Sequence, residues 1–164
     1  MEERVTGADR RPEFQEFVIE RGPAIRRALV GRYGVEIGVE AYSDAIEYAW
    51  AHWARVGAMA NPAGYLFRVG QSRSRRHRTR RAPVQLPAEQ QSDTAEDPAL
   101  HEALWRLPPA QRTAVLLVHG YQYSYRDAAD LMTVSEAALR NYVHRGTTRL
   151  RVLLHSKEAL DEQR

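Results

Sequence analysis

Apolar residues recur along this chain at intervals of three and four, with no strand-like alternation, so the pattern predicts helices throughout. Phe14, Phe17 and Val18 open a first helix that Gly22-Pro23 is expected to interrupt. Ile25, Leu29 and Tyr33 continue the stripe to Gly34, a natural C-terminal stop. A second helix is predicted from about Val39 to Trp53. Asn61-Pro62 then supplies a cap followed by proline at the first helical position, opening a third helix that runs into an arginine-rich stretch. Further on, Leu107-Pro108-Pro109 starts a helix in which Ala114, Val115, Leu117 and Val118 are apolar over most of the circumference, as in the interior of a small bundle. Gly120 stops it. Ser124 and Asp127 form a capping-box-like pair ahead of Ala128, Ala129, Leu131 and Met132. Ser135 caps a last helix whose Leu139, Tyr142, Val143, Gly146, Leu150 and Leu153 share one face.

Between the two groups of helices, Pro83 to Pro98 is acidic, holds three prolines and has no apolar period, which reads as a linker. The expected fold is therefore all-α: two small helical domains, 12–81 and 100–155, joined by an acidic proline-containing linker, 82–99. Each domain is near the lower size at which a chain buries enough surface to fold alone. A hydrophobic content of 43% over 164 residues suits a globular protein. Without cysteine there is no disulfide framework or thiolate metal site. No apolar run approaches the ~20 residues of a membrane span, and the first eleven residues are charged, so no membrane association and a cytoplasmic location are expected.

Charge sharpens this picture because it is segregated. The net +3 conceals −3 over residues 1–54, +8 over 55–81, −5 over 82–102 and +3 over 103–164. Six arginines fall between Gln71 and Arg81 with no acidic neighbour, and Arg73, Arg76 and Arg80 line one helical face. Such a block matches a phosphate backbone, although a solvated helix end would have the same composition. Just upstream, Trp50, Trp53 and Tyr65 flank the loop 55–61; aromatic faces beside positive charge suit unstacked bases. Aromatics at helical spacing are more often core, and Trp50 is expected there.

The tightest constellation lies between Arg126 and Arg145. Small Ala129 and Leu139, ten residues apart, suit two helices crossing at a short turn, the geometry of a helix-turn-helix. With Leu139 and Val143 turned inward, Glu136, Ala137, Arg140, Asn141, His144 and Thr148 face outward. Arginine and asparagine make two-point contacts to guanine and adenine edges, so this face has the chemistry of a major-groove reader. A packing motif would also have a polar outer face. Thr133 stands in the turn where glycine is usual; a left-handed backbone there would cost about 1 kcal/mol.

Catalysis finds no support. The six histidines form no H-E-x-x-H motif, no carboxylates flank them at ligand spacing, and the glycines form no phosphate loop. No catalytic residue, metal or cofactor is expected.

These stretches together resemble the extracytoplasmic-function sigma factors of the sigma-70 family, over about Glu13 to Leu153. Asn61-Pro-Ala-Gly-Tyr-Leu-Phe-Arg-Val is similar to a helix start in sigma region 2. Leu107-Pro-Pro-Ala-Gln-Arg-Thr-Ala-Val-Leu-Leu is similar to the opening of region 4. Tyr123-Ser-Tyr-Arg-Asp-Ala-Ala followed by Ser135 to Arg145 is similar to its helix-turn-helix. The resemblance implies that the first domain binds RNA polymerase core and melts the minus-10 element of promoter DNA, while the second reads the minus-35 element. It assigns polymerase binding to Glu40 and Asp44, on an exposed helix face. Downstream DNA contact falls to Asn61, Arg68, Arg73, Arg76 and Arg80, and upstream reading to the recognition helix, with Ser135 and Arg145 joining the outward residues. It also allows for an anti-sigma partner. Ser43 stands where the family has glutamine, and Gln71-Ser72 where Arg-Asn is common. Two rivals keep the helix-turn-helix but not the function: a regulator acting without polymerase, and a sigma-like decoy that binds protein without opening DNA.

Overall fold

The computed structural model describes residues 11–80 and 97–161, with side chains from 78–80 and 157–161 left out. Among the described residues the elements are helices: α1 (Arg11–Tyr33), α2 (Val35–Ala51), a single turn α3 (Trp53–Val56), α4 (Pro62–Arg80), α5 (Pro98–Trp105), α6 (Pro109–Val115) continued by a π-helical turn (Leu116–Gly120), α7 (Tyr125–Met132) and α8 (Glu136–Asp161).

Helix α1 is continuous, contrary to the break expected at Gly22-Pro23. Proline removes the amide that would bond to the carbonyl of Ile19. Pro23 and Ile19 are both exposed, so that carbonyl faces water and the loss is tolerated. Gly22 lies on the buried side, where a β-carbon would come within 2.6 Å of the Tyr42 hydroxyl. The helix ends where the pattern placed its end: Gly34 adopts φ 88°, and its amide bonds back to Val30 at 2.8 Å. Helix α2 follows at once, about four residues earlier than its apolar period predicts. Gly38 permits the tight α1–α2 hairpin, since a β-carbon there would lie 2.5 Å from the Val30 backbone.

Helix α5 was not anticipated, and its first residues fall in the stretch read as linker. Asp97 caps it, accepting from the Ala99 amide at 2.8 Å, with Pro98 at the first helical position. At the other end of α6 the helix widens. The Tyr121 amide reaches Leu116, five residues back, in the π-helical turn that precedes α7.

The two groups of helices pack against each other. Ile25, Leu29, Leu66 and Phe67 from the first group and Leu117, Leu139 and Val143 from the second belong to one connected core. A smaller cluster of Ala103, Leu107, Val115 and Leu150 holds α5, α6 and α8 together. Arg112 of α6 crosses the seam and is 5% exposed. Its guanidinium donates to the carbonyls of Gly31 (2.8 Å) and Arg32 (2.6 Å) at the end of α1, and to those of Trp105 (3.4 Å), the last residue of α5, and Leu107 (3.2 Å) just beyond it. It also lies 4.0 Å from the Trp105 ring centroid. Burial, reinforced by the charge of Arg32, lowers its pKa to about 10, which still leaves it cationic at neutral pH.

Candidate nucleic-acid interface

The helix-turn-helix forms where the sequence placed it. Ser124 accepts from the Asp127 amide at 3.0 Å and donates to the Asp127 carboxylate at 2.7 Å, opening α7. Thr133 ends α7 in the left-handed conformation, φ 56° and ψ 41°. It carries the strain anticipated for a non-glycine residue in this turn. The Val134 amide bonds back to Ala129 (3.1 Å), and Ser135 caps α8 by accepting from Ala138 (3.1 Å).

Leu139, Val143, Gly146 and Leu150 form the buried face of α8. Gly146 lets α8 approach α6 closely, because a β-carbon there would come within 2.6 Å of a Val115 methyl. This phase leaves Ser135, Glu136, Ala137, Arg140, Asn141, His144, Arg145 and Thr148 exposed together. The guanidinium of Arg140 pairs with Glu136 one turn back and lies 4.7 Å from the Tyr125 ring centroid. An exposed pair of this kind is worth at most about 1 kcal/mol, so it orients the arginine without trapping it.

The second basic element is α4. Arg68 and Arg76 are exposed, and Arg73 is half-buried with its guanidinium 5.9 Å from the centroid of Tyr48. The backbone at Arg80 continues the helix; its side chain lies outside the described residues. Where α2 crosses α4, the hydroxyls of Tyr48 and Tyr65 meet at 3.1 Å, and Arg55 donates to both. His52 stacks on Tyr48 at 4.3 Å. The hydrogen bond with Tyr48 raises the Tyr65 pKa above its ordinary value, so the phenol is neutral at neutral pH.

This cluster of Tyr48, His52, Arg55 and Tyr65 corrects the aromatic assignment. Trp53 is buried and packs on Phe14 and Phe17, whereas Trp50, expected in the core, is 49% exposed and meets Phe14 edge-on. The reason is helical phase: Ala41, Ala45 and Ala49 form the inward stripe of α2, and Trp50 lies one step beyond it. Tyr65 alone of the cluster was singled out from sequence. Tyr48, seventeen positions earlier, joins it only because α2 and α4 cross.

Glu40 and Asp44 sit one turn apart on α2, but their face turns toward α4. His77 bridges them, with Nδ1 3.0 Å from Glu40 and Nε2 2.9 Å from Asp44. Their side chains are 41% and 27% exposed, so both are reachable from solvent but neither stands on the fully exposed face expected. Asn61 is committed at both ends of its amide. Its Oδ1 accepts from the Gly64 amide at 2.9 Å, the expected cap, while Nδ2 donates to the Asp130 carbonyl of α7 at 2.7 Å.

Residues 98–150 match the family described as Sigma-70, region 4. The segment that carries α5 to α8, with the exposed face of α8, is therefore similar to a sigma-70 region 4 domain. The chain as a whole has the fold of a sigma factor: it aligns with the sigma factor RpoE from Bartonella quintana, solved in complex with the anti-sigma factor NepR, at a TM-score of 0.61 and 22% identity, over 87% of this chain and 97% of that one. No curated protein matches the sequence. Both findings agree with the resemblance read from the residues, and the all-α fold expected from periodicity holds.

Proposed function

We propose that this chain is a promoter-specificity subunit: a sigma factor of the extracytoplasmic-function group that directs RNA polymerase core to particular promoters and initiates transcription, without catalysing a reaction itself. The observation that carries this reading is the open face of α8 in a segment that matches sigma-70 region 4. Arg140 and Asn141, with His144 and Arg145 behind them, present the donors and acceptors that read base edges in a major groove.

The other residues complete the assignment. Arg68, Arg73, Arg76 and Arg80 on α4 contact phosphates downstream. Tyr48, His52, Tyr65 and Arg55 offer faces and charge to bases that have left the stack. A helix-turn-helix regulator acting alone has no need of this second, cationic and aromatic surface. Glu40 and Asp44 supply the acidic contact to polymerase core. The protein works in the cytoplasm, where polymerase and DNA are; among the described residues no helix is long and apolar enough to cross a membrane. An anti-sigma factor is a fitting further partner, as the relative with the same fold was solved bound to one.

The test is reconstitution. The purified chain and polymerase core should co-elute stoichiometrically and start transcripts at defined promoters that neither component uses alone. A sharp footprint by the chain alone, with no binding of core, would identify a lone regulator. Core binding without promoter opening would identify a decoy.

A further inference from the structure

Arg140 is held from two sides, by residues of two different helices. Its Nη2 donates to the Glu136 carboxylate one turn back on α8, and its guanidinium carbon lies 4.7 Å from the centroid of the Tyr125 ring on α7. Both partners are anchored. Glu136 is the first residue of α8, directly behind the Ser135 cap, where the helix dipole favours a carboxylate. Tyr125 is the first residue of α7, directly behind Ser124, whose bonds to Asp127 fix the helix start, and its side chain packs against the main core.

This arrangement narrows what Arg140 can contact. A mobile arginine at an exposed site finds phosphates as readily as bases, and a phosphate contact carries no sequence information. Here the side chain is restrained before DNA arrives, so less ordering is left to the moment of binding. All N–H donors of a guanidinium lie in one plane. With the Tyr125 ring over its face and Glu136 taking a hydrogen of Nη2, the remaining donors point outward along the edge of that plane. Two donors on one edge match O6 and N7 of guanine, whereas adenine sets an amino group beside its N7 and opposes the second donor. Helical side chains lean toward the N-terminus, which carries the guanidinium back over the first turn of α8, the part that enters a major groove deepest.

We propose that Tyr125 and Glu136 are positioning residues for base recognition: they aim Arg140 at a guanine of the upstream element and set specificity there without touching that guanine themselves. The proposal rests on the reading of α8 as a major-groove reader and adds the base it selects and the residues that make it selective. Tyr125 belongs to α7, so inspection of the recognition helix alone would not find it.

The test is the base-preference profile of the reconstituted holoenzyme on promoter fragments randomised across the upstream element, read by sequencing the fragments that are transcribed. Wild type should favour guanine at one position, and Arg140→Ala should lose that preference. Tyr125→Leu should lower the same preference about three- to tenfold, the worth of immobilising one long side chain, and leave the other positions as they are. Tyr125→Phe keeps the aromatic face and should restore it. Glu136→Gln should separate two quantities that a folding defect would move together: the guanine preference falls, while overall promoter affinity holds or rises because a negative charge facing DNA is gone. With Arg140→Ala already present, neither Tyr125→Leu nor Glu136→Gln should change the profile further. A guanine preference that survives Tyr125→Leu, or a profile that Tyr125→Leu still shifts in the absence of Arg140, would overturn the proposal.

A second measurement needs neither polymerase nor DNA, and so distinguishes failure of the proposal from failure of the reading beneath it. In NMR spectra of the free chain the δ-methylene protons of Arg140, held beside an aromatic face, should be shifted upfield. Tyr125→Leu should return them to their ordinary position and Tyr125→Phe should not. Unshifted protons in wild type would refute the clamp. If the shift is present and Arg140→Ala relaxes a guanine position that Tyr125→Leu leaves intact, α8 reads bases but the positioning role falls. If the shift is present and Arg140→Ala relaxes no position, the base-reading role of Arg140 falls and the proposal with it.

Discussion

The guanidinium of Arg112 donates to the carbonyl of Gly31 across eighty-one positions of sequence, and through its other bonds closes the C-terminal ends of α1 and α5 at once. Helices end with carbonyls that have no partner inside the helix, and a cation is favoured there by the helix dipole. A single buried fork therefore meets the needs of two helices from different modules.

Arg112→Ala should lower the unfolding free energy by about 2–3 kcal/mol, since buried carbonyls lose a charged donor. For a chain of this size that corresponds to a fall in Tm of roughly 4–12 °C in a circular-dichroism melt. Arg112→Lys should recover only part of the loss, because one ammonium cannot span carbonyls that a planar fork reaches together. An alanine variant that melts with wild type would show that water replaces the arginine without cost.

Glu40→Gln with Asp44→Asn should weaken co-purification of polymerase core by about tenfold or more while the helical spectrum is kept, because interface carboxylates facing basic partners lose their charge without changing shape. Neutralisation is a cleaner probe than reversal. Two arginines placed beside His77 and the cationic end of α4 would disturb the α2–α4 packing as well. His77→Gln is the companion variant: a loss of core binding only with the carboxylates assigns the contact to them rather than to the bridge.

Replacing Arg73 and Arg76 with alanine should make promoter binding less sensitive to salt, the slope of log affinity against log salt falling by roughly one unit for each phosphate contact removed. The preferred promoter sequence should stay the same, since backbone contacts position without specifying. An unchanged slope would mark these arginines as a solvated helix face.

Arg140→Ala should cost about 1–3 kcal/mol at one base pair of the upstream element and relax discrimination there, whereas Arg149→Ala, two turns further along α8, should weaken all sequences alike. Transcription from promoters substituted singly across that element, compared between the variant and wild type, separates the two effects. Identical base-preference profiles would mean that Arg140 stays with Glu136 and Tyr125 and reads no base.

Much of this architecture follows from neighbours in sequence. Asn61, Ser124 and Ser135 mark helix starts because a cap needs only a short side chain and an amide two or three residues ahead. Leu139 and Val143 set the phase of α8, and with it the exposed polar face, because a helical period is a local property. Thr133 announces its left-handed turn by occupying the place of a glycine. What only the tertiary structure decided depends on how helices cross. Pro23 could stay inside α1 because the core lies on the opposite side; Trp53 was buried and Trp50 was not because α2 presents its alanine stripe inward. The crossing of α2 and α4 brought Tyr48 to Tyr65 and placed His77 between Glu40 and Asp44, and the packing of α6 on α1 carried Arg112 to Gly31. Periodicity states which face of a helix is apolar, but it holds no information about which distant face will cover it, and these contacts are made by that choice.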